Sequence, residues 1–420
     1  VLRGAAAMAG AAATAPLLGE PAMAQAGPSG DADALFKAGK FDQAARAYEE
    51  ILKQDPTNLH AGRRRGHIGL LGNKFPEAEK YLKLALTLAP SDQETNRLLG
   101  DCYVRQDKFP LAVPHWQAAG EQAYAIWFAA FRGEPYQIHG DIARVPWKQM
   151  DPAPLVEASL NGGPPKRFSF YTRVATVGMS ARLAEEAGLR AVAAQKLDYL
   201  DPPRWMYFGV LDSLRLGGIE VRNVPVSWSD DDEPSRTGGP GMFGTWLMYH
   251  FLTTIDYAGR SLILRRRTPE TARKARADAE RAGAEPLPLW LAREHLLYSR
   301  GSIAGSGPRV MGLNIGGLGE MVAGMSVETA ERLRVRTDYD RPVDTSTGLL
   351  PATVYPCYPK EVRLGNATAK EAYCLANPRQ PLAPHGFDVL GHFSHSFYKP
   401  YNITLDFTDM NVYIARGKAG

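Results

Sequence analysis

A chain of 420 residues with 45% hydrophobic and 22% charged residues has a globular balance with room for two or three domains, which excludes wholesale disorder. The 49 basic and 45 acidic residues leave a formal charge of +4, too small a surplus to mark a nucleic-acid binder or a protein of anionic membrane surfaces. Three cysteines do not make a disulfide scaffold.

In chain order, Val1-Leu2-Arg3 precedes an Ala-rich apolar run to Leu18 and the small-x-small patterns Ala22-Met23-Ala24 and Ala24-Gln25-Ala26. This is the layout of a secretory signal over residues 1–28, and it predicts an exported protein, periplasmic or secreted. No later stretch offers the roughly 18 uninterrupted apolar residues of a spanning helix, so no transmembrane segment is expected.

From residue 31 to 128 the sequence repeats. Phe41, Phe75 and Phe109 recur every 34 residues, as do Ala44, Ala78 and Ala112, and Tyr48, Leu82 and Trp116. Pro56 and Pro90 keep the same interval, and Gly66 and Gly100 supply a small position with Ala32 in register. These residues resemble the tetratricopeptide repeat, whose helix pairs need a small residue where helices cross and a Pro where each pair ends. Such arrays usually bind peptides or proteins. All three phenylalanines are expected to be buried, and Cys102 to be a small core residue. The third repeat has Tyr124 in place of the terminal Pro and continues as Ile126-Trp127-Phe128, so its last helix is expected to dock on the next domain. The run Arg63-Arg64-Arg65 reads as the solvated face of a helix.

Residues 150–266 read as short strands between Gly and Pro turns, with one helix near 181–188. Residues 268–284, rich in Ala, Arg and Glu, read as a connecting helix. Residues 286–416 repeat the β plan: Thr254-Ile255-Asp256-Tyr257 before Leu262-Ile263-Leu264 parallels Thr404-Leu405-Asp406-Phe407 before Val412-Tyr413-Ile414. In an oxidising compartment Cys357 and Cys374, both in the second unit, are candidates to pair.

The stretch Gly244-Thr245-Trp246-Leu247-Met248-Tyr249 through Asp256-Tyr257 resembles the closing segment of bacterial retropepsin-like aspartic proteases, and Gly386-Phe387 through Asp406-Phe407 resembles it again. The resemblance implies an α plus all-β multidomain chain: an α-solenoid followed by a pseudo-dimeric double β-barrel with a cleft between the lobes. It places the family's catalytic Asp-Thr-Gly on Tyr171-Thr172-Arg173 in the first lobe and on Asn314-Ile315-Gly316 in the second. The aspartic dyad needs two carboxylates sharing a proton. A phenol and a carboxamide do not reproduce it, so no residue is given a catalytic role. Asp344-Thr345-Ser346-Thr347-Gly348 follows no apolar strand and reads as a capped turn, while Asp256 and Asp406 read as strand-end residues.

Trp205, Tyr207 and Phe208 in one flap region and Tyr355 and Tyr358 in the other are the candidates for an aromatic cleft lining. No cofactor is implied, and His250, His392 and His395 lack a Cys or carboxylate at ligand spacing, so no metal is expected. The reading is an exported repeat protein with catalytically degenerate lobes that binds an extended peptide or a partner protein through the repeats and the cleft. One alternative is a non-proteolytic enzyme acting on a small molecule through Tyr171, Asn314 and Arg173. A further one is the endopeptidase activity that the family would imply.

Overall fold

The computed structural model describes residues 28–200, 202–230, 239–293, 295–316, 319–347, 350–378 and 385–417. Most of the expected signal segment lies outside them.

The described chain opens with α1 (Pro28–Lys37), α2 (Phe41–Gln54), α3 (Leu59–Leu71), α4 (Phe75–Leu88), α5 (Gln93–Val104), α6 (Phe109–Ala118) and α7 (Gln122–Ala129). The caps share the repeat: Asn58 accepts from the Ala61 amide at 3.0 Å and Asp92 from the Thr95 amide at 2.8 Å, satisfying one orphan N–H at the start of α3 and of α5. The small positions exist for close approach. A Cβ on Gly66 would lie 2.6 Å from Leu82 Cγ and one on Gly100 would lie 3.1 Å from the Trp116 ring, so in each pair the glycine admits the bulky residue one helix later. Phe41 and Phe109 are buried, as is Cys102. Phe75 is only partly buried: it borders a surface groove with Pro76, Lys80, Lys83 and Lys108. Phe41, by contrast, is covered by Trp290 and Phe387, and Phe109 by Phe128 and Phe131.

Two β-rich units follow and share one plan. In the first, Lys166–Phe170 runs parallel to Gly241–Phe243, Val177–Met179 runs parallel to Ile219–Ser229, and Val177–Met179 pairs antiparallel with Gly241–Phe243. The second repeats every pairing: Ser306–Leu313 parallel to His392–Phe393, Ala323–Ser326 parallel to Cys374–Asn377, and Ala323–Ser326 antiparallel to His392–Phe393. The helices match too, Ala181–Glu186 capped by Ser180 and Val327–Arg332 capped by Ser326.

A six-stranded sheet joins the units in the order Leu287–Pro288, Asn411–Arg416, Tyr401–Asp406, Phe251–Asp256, Ser261–Arg266, Ile142–Pro146. Its centre is the antiparallel pair of Phe251–Asp256 with Tyr401–Asp406, where Thr254 and Thr404 face each other and their hydroxyls lie 2.9 Å apart. This pseudo-twofold arrangement of two like β units agrees with the pseudo-dimeric plan expected from the sequence. Asp256 and Asp406 end their strands as turn residues, accepting from the Gly259 amide at 2.8 Å and the Thr408 amide at 2.9 Å.

The first lobe begins earlier than residue 150: Gln137–His139 pairs with Ile219–Ser229, and Ile142–Pro146 forms the outer strand of the shared sheet. Short strands among turn residues, with polar positions facing solvent, carry too weak a periodicity to be found by pattern. The connecting segment forms the helix Pro269–Arg281, with Thr268 and Thr271 in a reciprocal capping box. One apolar core runs from the later repeats through Trp127 and Trp246 into Phe170, Leu313 and Phe393 of the lobes, and a second joins Phe36, Phe41 and Tyr48 of the first repeat to Val310 and Phe387 of the second lobe.

Candidate functional site at the interlobe seam

The parallel strand pairs fix which residues correspond. After Phe170, paired with Phe243, the Tyr171 amide donates to Phe243 O at 2.9 Å; after Leu313, paired with Phe393, the Asn314 amide donates to Phe393 O at 3.2 Å. Tyr171 and Asn314 therefore hold matched positions in the two lobes.

The loops that follow meet. The buried Thr172 hydroxyl donates to Leu313 O at 2.7 Å and accepts from the Ile315 amide at 2.8 Å, while the Thr172 amide donates to Ile315 O at 3.1 Å. The reverse contact is made by a glycine at φ +78°: a Cβ on Gly316 would lie 1.8 Å from Phe170 O, so this left-handed position admits no side chain. The seam is thus asymmetric, with a hydroxyl reaching one way and a bare backbone approaching the other. Below it, burial pushes the Tyr257 phenol up, and its oxygen lies 3.1 Å from His395 Nδ1.

The side chains at the seam differ in setting. Asn314 is 4% exposed and its Oδ1 has no hydrogen-bond partner among the described residues. Tyr171 is half-buried. Arg173 is exposed, makes no ion pair among the described residues, and sends its charge toward His385, His392 and Tyr298 of the second lobe. His392 is pushed down to about 3 by burial first and Arg173 second.

The aromatic candidates separate. Trp205 is 42% exposed. Tyr207 is half-buried against Trp228 at 6.0 Å, Tyr355 meets Tyr339 at 5.1 Å, and Tyr358 lies under the Arg336 guanidinium at 4.4 Å. Phe208 does not line a cleft: it is buried against Trp127 at 4.7 Å and Tyr124 at 5.6 Å of the repeats. Strand alternation places it on the opposite face from Tyr207. Asp344 lies in the hairpin of Val343–Thr347 with Leu350–Tyr358 and accepts from Thr353 Oγ1 at 2.9 Å. The three histidines are held by different partners: His250 by Asp107 at 3.0 Å under Tyr136, His395 by Tyr257, and His392 close over Gly324. Cys357 and Cys374 are both free thiols and are direct register partners across their strands.

The arginine run is not a wet face. Arg63 pairs with Asp92 at 3.0 Å, Arg65 is buried with its Nε 2.6 Å from Glu49, and Arg64 turns toward the second lobe, where its Nη1 would meet a Cβ on Gly386 at 2.7 Å. The carboxylates that satisfy Arg63 and Arg65 come from neighbouring helices. A charge run read by itself carries no sign of them.

A tetratricopeptide repeat family model matches residues 31–93. The N-terminal segment is a tetratricopeptide repeat array. The described repeats continue the same plan past that match through α6, and α7 docks as the sequence predicts: Trp127 Nε1 donates to Gly209 O at 2.8 Å and its ring stacks near Trp246 at 5.8 Å. No curated protein matches the chain. Among solved structures it is similar to the crystal structure of a retropepsin-like aspartic protease from Rickettsia conorii, at 16% identity, over 31% of this chain and 94% of that one, with a TM-score of 0.24. Strand order and register, independent of that likeness, define the two lobes.

Proposed function

We propose that this chain is an exported binding protein whose retropepsin-like lobes have lost proteolytic chemistry and hold an extended peptide, or an extended segment of a partner protein, between them. The observation that carries the reading is the pairing of Tyr171 with Asn314 as matched positions on either side of the Thr172 contact. Aspartic proteolysis polarises a water between two carboxylates that share one proton. A phenol and a carboxamide at those positions do neither, and Asn314 is closed off from solvent.

What remains favours strand binding. Ala193–Leu197 is the terminal strand of its eight-stranded sheet, beside the strand that carries the exposed Trp205 and half-buried Tyr207. Among the described residues the outer edge of Ala193–Leu197 is unpaired, and such an edge gives an extended peptide main-chain hydrogen bonds, while adjacent aromatic rings give it side-chain contacts. The repeats use part of their surface internally: Phe36 and Phe41 are covered by Phe387, and Trp127 by Phe208. The lobes are therefore the better placed of the two regions to take a ligand, with the array holding them.

The test has two arms. The purified chain is incubated with an unstructured protein from pH 3 to 7, with and without a transition-state-like inhibitor of aspartic proteases, and no cleavage sensitive to it is expected; cleavage that the inhibitor blocks would sink the proposal. A displayed library of extended peptides is then selected against the chain, and enriched sequences are expected to lose binding to Trp205→Ala. Export is checked by the N-terminal mass of the secreted product, expected to begin near Ala26.

A further inference from the structure

We propose that the arginines gathered where the repeats meet the second lobe form a binding site for an oxyanion, a carboxylate or phosphate group carried by a small ligand or at a chain end. The site does not depend on the lobes taking a peptide.

Three guanidinium groups from distant parts of the chain are tied to this place by contacts, and a fourth, Arg173, reaches it through its field. Arg64 comes from α3, Arg97 from α5, Arg293 from the turn after Trp290–Ala292, and Arg173 from the loop after Lys166–Phe170. Two buried imidazoles tie them to one place. His67 stands in the field of Arg64, Arg97 and Arg293, and His385 in the field of Arg293, His67, Arg97 and Arg173. Packing agrees: Phe36 lies 5.4 Å from His67 and under the Arg64 guanidinium at 4.7 Å, while Phe387, next to Gly386 beneath Arg64, lies 5.5 Å from His385.

Among the described residues the opposing charge is short at Arg64 and Arg173. Glu94 pairs with Arg97 and lies 3.6 Å from Arg293, serving both. Asp33, whose field reaches Arg64, is already held by Tyr48 and by His60 at 2.7 Å. Arg105, whose field also reaches His67, is satisfied by Asp101 at 2.6 Å and by the carbonyls of Leu70 and Leu291. Arg64 and Arg173 have no acidic partner among the described residues, and Arg64 Nε is buried without an acceptor there.

His385 supplies the second, independent sign. It is 3% exposed, and its Nδ1 has no partner among the described residues. Burial and the surrounding arginines hold its imidazole well below the usual histidine range, as they do for His67, so both rings stay neutral at pH 7. Leaving such polar groups unpaired is costly, and guanidinium forks match the planar geometry of carboxylates and phosphates. The site is also reachable, since the side chains of Arg97 and Arg293 keep 18% and 25% exposure and Arg173 is exposed.

The experiment is a calorimetric titration of the full chain at constant ionic strength. One arm uses inorganic phosphate, and the other a tetra-alanine peptide with a free carboxylate alongside its C-terminal amide. Saturable binding of phosphate, or of the free acid over the amide, is expected, and whichever binds names the source of the oxyanion. Arg64→Ala and Arg97→Gln are each expected to weaken it at least about tenfold, which is about 1.4 kcal/mol. Arg173→Gln, at an exposed position, is expected to weaken it about threefold without disturbing the fold, and it serves if Arg64→Ala does not fold. Absence of saturable binding by both probes, or binding unchanged in the folded variants, overturns the assignment.

Discussion

Replacing Thr172 by Val removes one hydroxyl and almost nothing else, because the two side chains are close in shape. That hydroxyl is buried and has two partners in the other lobe, Leu313 O at 2.7 Å and the Ile315 amide at 2.8 Å. Its single proton goes to the carbonyl and its lone pair receives the amide, so one substitution strands a donor and removes a donor from an acceptor. Each buried polar group left unpaired costs about 1–3 kcal/mol, giving a destabilisation of about 2–6 kcal/mol. Thr172→Ser keeps the hydroxyl and loses one methyl, for about 1 kcal/mol. The difference between the two variants isolates the hydroxyl. Urea unfolding followed by circular dichroism and by tryptophan emission measures both, and coincidence of the two probes tests whether lobes and repeats unfold together. If Thr172→Val matches Thr172→Ser within about 0.5 kcal/mol, the two lobes are not clasped by this contact and the seam geometry is wrong.

The repeats give a graded comparison in the same assay: Phe109→Ala removes a fully enclosed ring and is expected to cost about 3–5 kcal/mol, whereas Phe75→Ala, at a partly buried position beside a surface groove, is expected to cost less than half of that. Acid should weaken the fold early. Burial holds His67, His295, His385 and His392 below their unfolded value near 6.5, so the unfolded state takes up protons first; their stabilisation is complete above pH 6.5 and each loses about 1.4 kcal/mol per pH unit below it until its own folded value is reached. Unfolding curves at pH 7, 6 and 5 check this, and flat stability over that range would contradict it. For the cysteines, burial raises all three thiols, Cys102 and Cys374 to about 12, so alkylation of reduced protein should be slow when folded and fast in urea. Because Cys357 and Cys374 are register partners, mild oxidation should then block those two and leave Cys102 the only one alkylated in urea, as intact mass would show.

The parts of this molecule legible in its sequence are those whose physics is local or periodic. Gly66 and Gly100 repeat because each helix crossing needs the same clearance, and the Asp-aromatic ends at Asp256-Tyr257 and Asp406-Phe407 repeat because each closes the same strand. The placement of Tyr171 against Asn314 follows from that duplication. What the sequence hides depends on convergence. Nothing in the letters near residue 208 shows that Phe208 meets Trp127, and nothing around residue 64 shows that Arg64 faces a loop more than 300 positions later. Arg63 and Arg65 looked like a solvated face because their carboxylate partners, Asp92 and Glu49, come from neighbouring helices. Phe75 kept the repeat's letter, but among the described residues no lobe ring stacks on it as Trp290 does on Phe41.

The shared sheet, with Thr254 facing Thr404 at its centre, makes the lobes two halves of one covalent chain. Two identical subunits meeting on such an axis would have to accept every substitution twice, so an arginine beside the seam would face its own copy. Fusion through the helix Pro269–Arg281 lifts that constraint. One loop can carry Thr172 and Arg173 while the other carries Ile315 and Gly316, so that a long cation in one lobe holds the position matched by a residue with no side chain in the other. The association of the halves also no longer depends on concentration, so a dilute chain would keep its seam closed where a subunit pair would part.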